Sequence, residues 1–212
     1  MYIPSASLLL VDDDAGVLFS LSLVLKAVGY RVRTAGGGFA ALAEMRKDIP
    51  EILISDMNMP GMSGFELLSV VRPRFPAMRV IAMSGGFTDT DADMPEGMAA
   101  DAYYRKGGNL SALLMALEGM TDANRLLLER NAKASPIWTS RLVDDAAGAG
   151  YVTLTCPECL RTFSYIPDAA GMVLPMEDCL HRMSRIPSAI VPQPDTAEVG
   201  PVRHSYSGYC LT

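Results

Sequence analysis

The sequence predicts a doubly wound α/β domain built on a parallel sheet, followed by a smaller module of different texture. Three observations carry this reading. Short apolar runs alternate with segments of helical periodicity through residues 7–120. The runs are apolar on consecutive residues, as in strands buried on both faces. Gly, Asp or Pro follows most of them, which ends each run abruptly.

The first run is Ser7–Val11, and it stops at Asp12-Asp13-Asp14. Val17, Leu18, Leu21, Leu25 and Val28 then recur at helical spacing, with Gly29 as the stop. A second strand is predicted over Tyr30–Thr34 and a second helix over Phe39–Met45. The third pair is Ile52–Ser55 and Phe65–Val71, and the fourth strand is Arg79–Met83. Thr88–Met98 holds three Asp and a Pro, the poorest helical pattern of the set. Ala102–Tyr104 and Leu110–Leu117 complete five strands and five helices.

The texture changes after Thr121. Residues 1–120 are assigned to the α/β domain, 121–150 to a linker helix and linker, and 151–212 to a small irregular or β module with a Pro-rich tail. At 212 residues the chain can hold one substantial core and such a module. Half the residues are hydrophobic and the net charge is -6, so no basic stripe for nucleic acid is present. Leu8–Val11 is too short to span a bilayer and lacks the flanks of a signal peptide. The expected location is cytoplasmic, with the four cysteines as thiols or metal ligands.

Ligands of such sheets bind beyond the carboxyl ends of the strands. Those ends carry Asp12, Asp13 and Asp14, then Asp56, then Ser84-Gly85-Gly86, and finally Lys106. Clustered carboxylates need a compensating positive charge. A hard divalent cation such as Mg²⁺ suits oxygen ligands, and a hydroxyl with an ammonium suits phosphoryl oxygens. The chemistry implied is a carboxylate attacking phosphorus while a metal and Lys106 neutralise the growing charge. Asp14 also reads as a simple helix cap. The stretch "GGGFAALA" from Gly36 follows the second strand rather than the first, so it reads as a flexible start to the second helix, not a dinucleotide loop.

The ordered set Asp12-Asp13, Asp56, Ser84 and Lys106, with "DMNMPGMSG" from Asp56 to Gly64, resembles the receiver domain of bacterial two-component response regulators. The likeness covers roughly residues 5–120 and implies a flavodoxin-like (βα)5 receiver fold. It implies that Asp56 accepts the phosphoryl group. Mg²⁺ would be held by Asp13 directly, Asp12 largely through water, Asp56, and the backbone carbonyl of Asn58. Ser84 and Lys106 would contact the phosphoryl group, and Tyr103 stands where the family has its switch aromatic, with Tyr104 as the competing neighbour. The family usually has Pro after the lysine; here Gly107-Gly108 follows, so X–Pro isomerisation is excluded and a looser loop is expected.

In the C-terminal part, Cys156-Pro-Glu-Cys159 has zinc-knuckle spacing. Cys179 and His181 are the further candidate ligands, with His204 or Cys210 as substitutes. Arg182 stands where a second C-x-x-C would need Cys, so the module resembles a zinc ribbon with a degraded half. The plain alternative is a metal-free relic with reduced thiols. No helix-turn-helix pattern is visible, so DNA binding is not supported and a protein-interaction output is expected.

The resemblance implies a histidine kinase as partner and a signalling protein rather than an enzyme acting on external substrates. No membrane partner is expected, and a homodimer is allowed. Two other readings compete: a hydrolase using an aspartyl-phosphate intermediate, for which Asn58 stands where a second Asp is wanted, and a non-signalling receiver scaffold.

Overall fold

The computed structural model describes residues 6–85, 100–119, 137–139, 141–143, 150–165, 188–190 and 210–211. Five parallel strands form one sheet: β1 (Ser7–Val11), β2 (Arg31–Ala35), β3 (Ile52–Asp56), β4 (Arg79–Ser84) and β5 (Ala102–Arg105), in the order β2-β1-β3-β4-β5. Four helices connect or follow them: α1 (Ala15–Ala27), α2 (Gly38–Lys47), α3 (Gly64–Arg74) and α4 (Leu110–Gly119). The predicted strands and helices match within a few residues at each end. The weak helical pattern over Thr88–Met98 lies outside the described residues.

The consecutive apolar residues are used on alternate faces. Leu9, Val11, Leu53, Val80 and Ala82 face one cluster with Leu42 and Met45 of α2 and Leu67, Leu68 and Val71 of α3. Leu8, Leu10, Ile52, Ile54, Ile81 and Met83 face the other, with Leu25 of α1 and Leu113 and Leu117 of α4. Side chains of a strand alternate, so two covered faces demand an unbroken apolar run.

Helix ends follow local chemistry. Asp14 caps α1, accepting from the N–H groups of Gly16 and Val17 at 2.7 and 3.2 Å. After α1, Gly29 takes φ 108° and its N–H donates to the Lys26 carbonyl. A capping box starts α3: the Glu66 N–H donates to Ser63 Oγ, and Glu66 Oε2 accepts from the Ser63 N–H at 2.9 Å. The Ser-x-x-Glu signature was present in the sequence and marks this boundary. Arg72 of α3 is buried and donates to the Met78 carbonyl and to Asp101 Oδ2, which also accepts from the Val80 N–H. This buried pair ties α3 to the start of β4.

The C-terminal part adds β6 (Ile137–Thr139), β7 (Arg141–Val143), β8 (Gly150–Thr155), β9 (Thr162–Tyr165), β10 (Ser188–Ile190) and β11 (Cys210–Leu211). They form two small sheets, β11-β10-β6 and β7-β8-β9. β6 and β7 fall within the segment read as linker from sequence, and they pair with β10 and β8. The candidate ligands Cys179, His181 and His204 lie outside the described residues, and only the backbone of Cys210 is described. No helix among the described residues is long and apolar enough to cross a membrane.

Candidate functional site

The sheet order reverses direction between β1 and β3, and Asp12 and Asp56 stand at the carboxyl ends of these two strands. Such a switch point opens a crevice at the sheet edge. Asp12 follows β1 directly; its N–H donates to the Ala35 carbonyl at 3.1 Å, which continues the sheet ladder by one residue. Asp56 ends β3, and the next N–H, of Met57, donates to the Met83 carbonyl at 2.9 Å. The Lys106 N–H donates to the Ser84 carbonyl at 3.0 Å, fixing β4 and β5 at the same edge.

The side chains converge. Lys106 Nζ lies 2.6 Å from Asp56 Oδ2 and 2.7 Å from Asp12 Oδ2. Carboxylate oxygens of Asp12, Asp13 and Asp56 all lie within 4.8 Å of one another. Asp12 is fully buried, Asp56 nearly so, while Asp13 is exposed. Backbone donors hold both buried carboxylates: the Asp14 N–H to Asp12 Oδ1 at 2.9 Å, and the Asn58 N–H to Asp56 Oδ1 at 3.2 Å. Ser84 is buried at the end of β4.

Burial pushes the Asp12 carboxyl above its ordinary value; Lys106 and the Asp14 N–H draw it back only in part, and Asp56 adds to the rise. For Lys106, burial alone would lower the pKa, but the two carboxylates outweigh it and hold the ammonium above its ordinary value. The Asp12–Lys106 contact is a charge pair rather than an aligned hydrogen bond. Asp12 Oδ2 is therefore a buried oxygen without a hydrogen-bond donor. A buried acceptor left so is costly unless something else fills it. Three clustered carboxylates with a single ammonium between two of them fit a hard divalent cation, so the residues present suit Mg²⁺.

The loop between β3 and α3 is shaped from beneath. Met57, Met59 and Met62 anchor it in the core, whereas Asn58 and Pro60 are exposed. Gly64 closes it, its N–H donating to the Met57 carbonyl at 3.1 Å. A Cβ on Gly64 would sit 2.2 Å from the Asp56 carbonyl oxygen and 2.8 Å from Met57 Cα. Only glycine lets α3 start this close to Asp56.

The Lys106 loop differs from the sequence expectation. The Gly108 N–H donates to the Arg105 carbonyl at 2.9 Å, and Gly107 takes φ 74°. This is a closed turn that needs a left-handed residue at its third position, where glycine is unstrained. Tyr104 Oη adds a second tie, donating to the Gly108 carbonyl at 3.1 Å. Two hydrogen bonds thus hold the loop that was expected to be loose.

Consecutive tyrosines on β5 point to opposite faces. Tyr103 is half-buried against the α2–α3 cluster, and Tyr104 is buried in the α1–α4 cluster. The Tyr104 clamp was not foreseen from sequence, because a tyrosine four residues before a glycine carries no signal of its own.

A family model for the response regulator receiver domain matches residues 8–118. The chain belongs to the response regulator receiver family. Among solved structures, chemotaxis protein CheY4 of Vibrio cholerae is similar at 30% identity and a TM-score of 0.51, covering 55% of this chain and 98% of that one. The response regulator TrrA of Thermotoga maritima, solved in complex with Mg²⁺ and BeF, is similar at 26% identity and a TM-score of 0.50, covering 55% and 99%. Response regulator protein FleR of Pseudomonas aeruginosa is 29% identical over 92% of this chain and 46% of its own length. The probable transcriptional regulatory protein TcrX of Mycobacterium tuberculosis is 28% identical over 54% of this chain and 49% of its own length. The chain therefore spans about half the length of these curated relatives. The likeness to the solved receivers supports the flavodoxin-like fold expected from sequence.

Proposed function

We propose that the chain is a phosphorelay response regulator that takes a phosphoryl group on Asp56 from a histidine kinase and passes on a conformational signal. The observation that carries this is the convergence of Lys106 Nζ on Asp12 and Asp56 within 2.7 Å, beside the exposed Asp13. Family membership and the Mg²⁺–BeF complex of the similar TrrA receiver support it.

In this reading an Asp56 carboxylate oxygen attacks phosphorus on the kinase's phosphohistidine. The O–P bond forms, the N–P bond breaks, and the imidazole leaves with the bonding electron pair and takes up a proton. Mg²⁺, when bound by Asp12, Asp13, Asp56 and the Asn58 carbonyl, supplies charge neutralisation at the phosphoryl oxygens. Lys106 carries a fixed positive charge within 2.7 Å of both Asp12 and Asp56. The Asn58 N–H and Lys106 hold the Asp56 carboxylate in place before attack. Ser84 then donates to a phosphoryl oxygen, and Tyr103 responds as the switch aromatic.

The output is read as a protein interaction. Several relatives are transcriptional regulators by name, and a gel-shift assay with random duplex DNA distinguishes the two outputs. A zinc site at Cys156 and Cys159, completed by Cys179 and His181, is the reading for the C-terminal module. In its support, both cysteines lie on the tight turn that joins β8 to β9. Metal analysis of the purified chain is expected to return about one zinc per chain; a folded, metal-free module sinks that assignment.

The central test is Asp56→Asn. Wild-type protein with Mg²⁺ and a radiolabelled small acyl-phosphate donor is expected to take up label, and the variant to take up none. Wild-type labelling of the variant refutes the acceptor assignment.

A further inference from the structure

The turn that bears the cysteine pair is seated on the receiver. Leu160, which follows Cys159, is only 3% exposed and belongs to the same cluster as Leu42, Met45, Leu67 and Val71 of α2 and α3. Two polar contacts flank it. Arg46 Nη1 of α2 donates to the Leu160 carbonyl at 2.9 Å. Arg74 Nε of α3 lies 3.4 Å from Glu158 Oε2, with its guanidinium over the Phe75 ring.

The turn adopts a shape that suits this seat. The Leu160 N–H donates to the Cys156 carbonyl at 2.8 Å, and the Cys156 N–H to the Arg161 carbonyl at 2.9 Å. Leu160 takes φ 55°, and it is the single non-glycine residue with positive φ among the described residues. That conformation is unfavourable for a bulky side chain and persists where surroundings over-determine it. Here its surroundings are the buried apolar cluster to which α2 and α3 both contribute, the cleft in which Leu160 is seated.

The same cluster contains Met57, Met59 and Met62, the residues that anchor the acceptor loop beside Asp56. Packed interiors transmit displacement rather than absorb it. A shift of that loop therefore changes the cleft that holds Leu160. We propose that the α2–α3 face is an intramolecular docking surface for the Cys156–Leu160 turn, and that this contact couples the acceptor loop to the C-terminal module. The occupant is the chain's own turn: one apolar side chain in the cleft, one carbonyl on Arg46, and one carboxylate on Arg74. Coupling is reciprocal, so the state of the turn also biases phosphorylation. The coupling half of this proposal rests on the receiver function; the docking half does not.

Cys156 reports docking, because it is 1% exposed in the seated turn while Cys159 is partly exposed. The full chain is reduced, stripped of zinc with a zinc-selective chelator, treated briefly with iodoacetamide, and modification at each cysteine is read by peptide mass spectrometry. Arg46→Ala, a surface change, is expected to speed modification of Cys156 about fivefold, the shift from losing one hydrogen bond of the docked state. Leu160→Ser is expected to speed it about tenfold or more. In wild-type protein, Mg²⁺ with beryllofluoride is expected to change the Cys156 rate about fivefold, at the low end of allosteric coupling, and to leave the Leu160→Ser rate unchanged. Wild-type rates in both variants overturn the docking. Variants that respond, in a chain that ignores Mg²⁺ and beryllofluoride yet still labels at Asp56 with the acyl-phosphate donor, overturn the coupling. A chain that takes up no label at Asp56 overturns the receiver reading instead, and the response of the two variants then decides the docking by itself.

Discussion

Lys106→Met removes the cation that sits between two buried carboxylates. The substitution keeps an unbranched side chain, one atom shorter, and deletes its charge. At an effective dielectric near 20, a charge pair at about 4 Å is worth about 4 kcal/mol, and Lys106 contacts two partners at shorter range. That gross figure is not the net effect. Burying the ammonium has its own desolvation cost, and a side chain 24% exposed is partly screened by water. Removing one partner of a buried pair typically costs about 3–5 kcal/mol. A second limit comes from protonation. With an ordinary pKa of 3.8, a carboxyl takes up a proton at pH 7 for about 4 kcal/mol, and Asp12 starts above that value. The expected loss is therefore about 3 kcal/mol at pH 7 without divalent metal, the low end of that range.

The pH dependence carries a definite sign. Burial already holds the Asp12 carboxyl above its ordinary value, and Lys106→Met removes a contact that lowers it. A group whose folded pKa is raised favours folding at low pH and loses that contribution as pH rises through the folded value. The penalty of Lys106→Met is thus expected to shrink from pH 7 to pH 5. Urea unfolding followed by far-ultraviolet circular dichroism, in chelator, measures both quantities. A loss under about 0.5 kcal/mol, or a loss that grows on acidification, refutes the account of the site as two buried carboxylates held by one ammonium.

Three further outcomes test other parts. Gly64→Ala forces a Cβ into the Asp56 carbonyl and is expected to lower the rate of labelling by acyl phosphate at least about tenfold, because a displacement near 1 Å suffices for such losses. Tyr104→Phe keeps the ring in its apolar cluster and deletes the tie to Gly108; it should cost about 1 kcal/mol in urea unfolding and slow phosphorylation severalfold while leaving Mg²⁺ affinity unchanged. Arg72→Met strands the Asp101 carboxylate and should cost about 3–5 kcal/mol, with Arg72→Met/Asp101→Asn recovering part of it in the same assay.

Much of the fold was legible because a strand covered on both faces must be apolar throughout. Leu8–Val11 and Ile52–Ile54 announce such strands without reference to their partners. The site was legible for a related reason: a polar residue directly after an apolar run marks where the strand ends, so Asp12, Asp56 and Ser84 mark the sheet edge even though all three are buried. Arg72 and Asp101 were not legible. They lie 29 positions apart, and a charged residue in a helix reads as exposed until the chain folds over it. The docking of Leu160 was equally hidden, since its contact with Arg46 spans 114 positions.

The sequence by itself determined the order of strands and helices along the chain and the residues at the carboxyl edge. These depend on local periodicity and on residue type, which a linear chain carries in full. Only the tertiary structure decided three other matters. It gave the Gly107-Gly108 loop its closure, because Tyr104 reaches it from the opposite face of β5. It separated Tyr103 from Tyr104, because the pleat sends adjacent side chains to different cores. It brought the Cys156–Leu160 turn onto α2 and α3, because an apolar side chain and two polar contacts found partners distant in sequence. Contacts of that kind are set by packing, and no spacing along the chain encodes them.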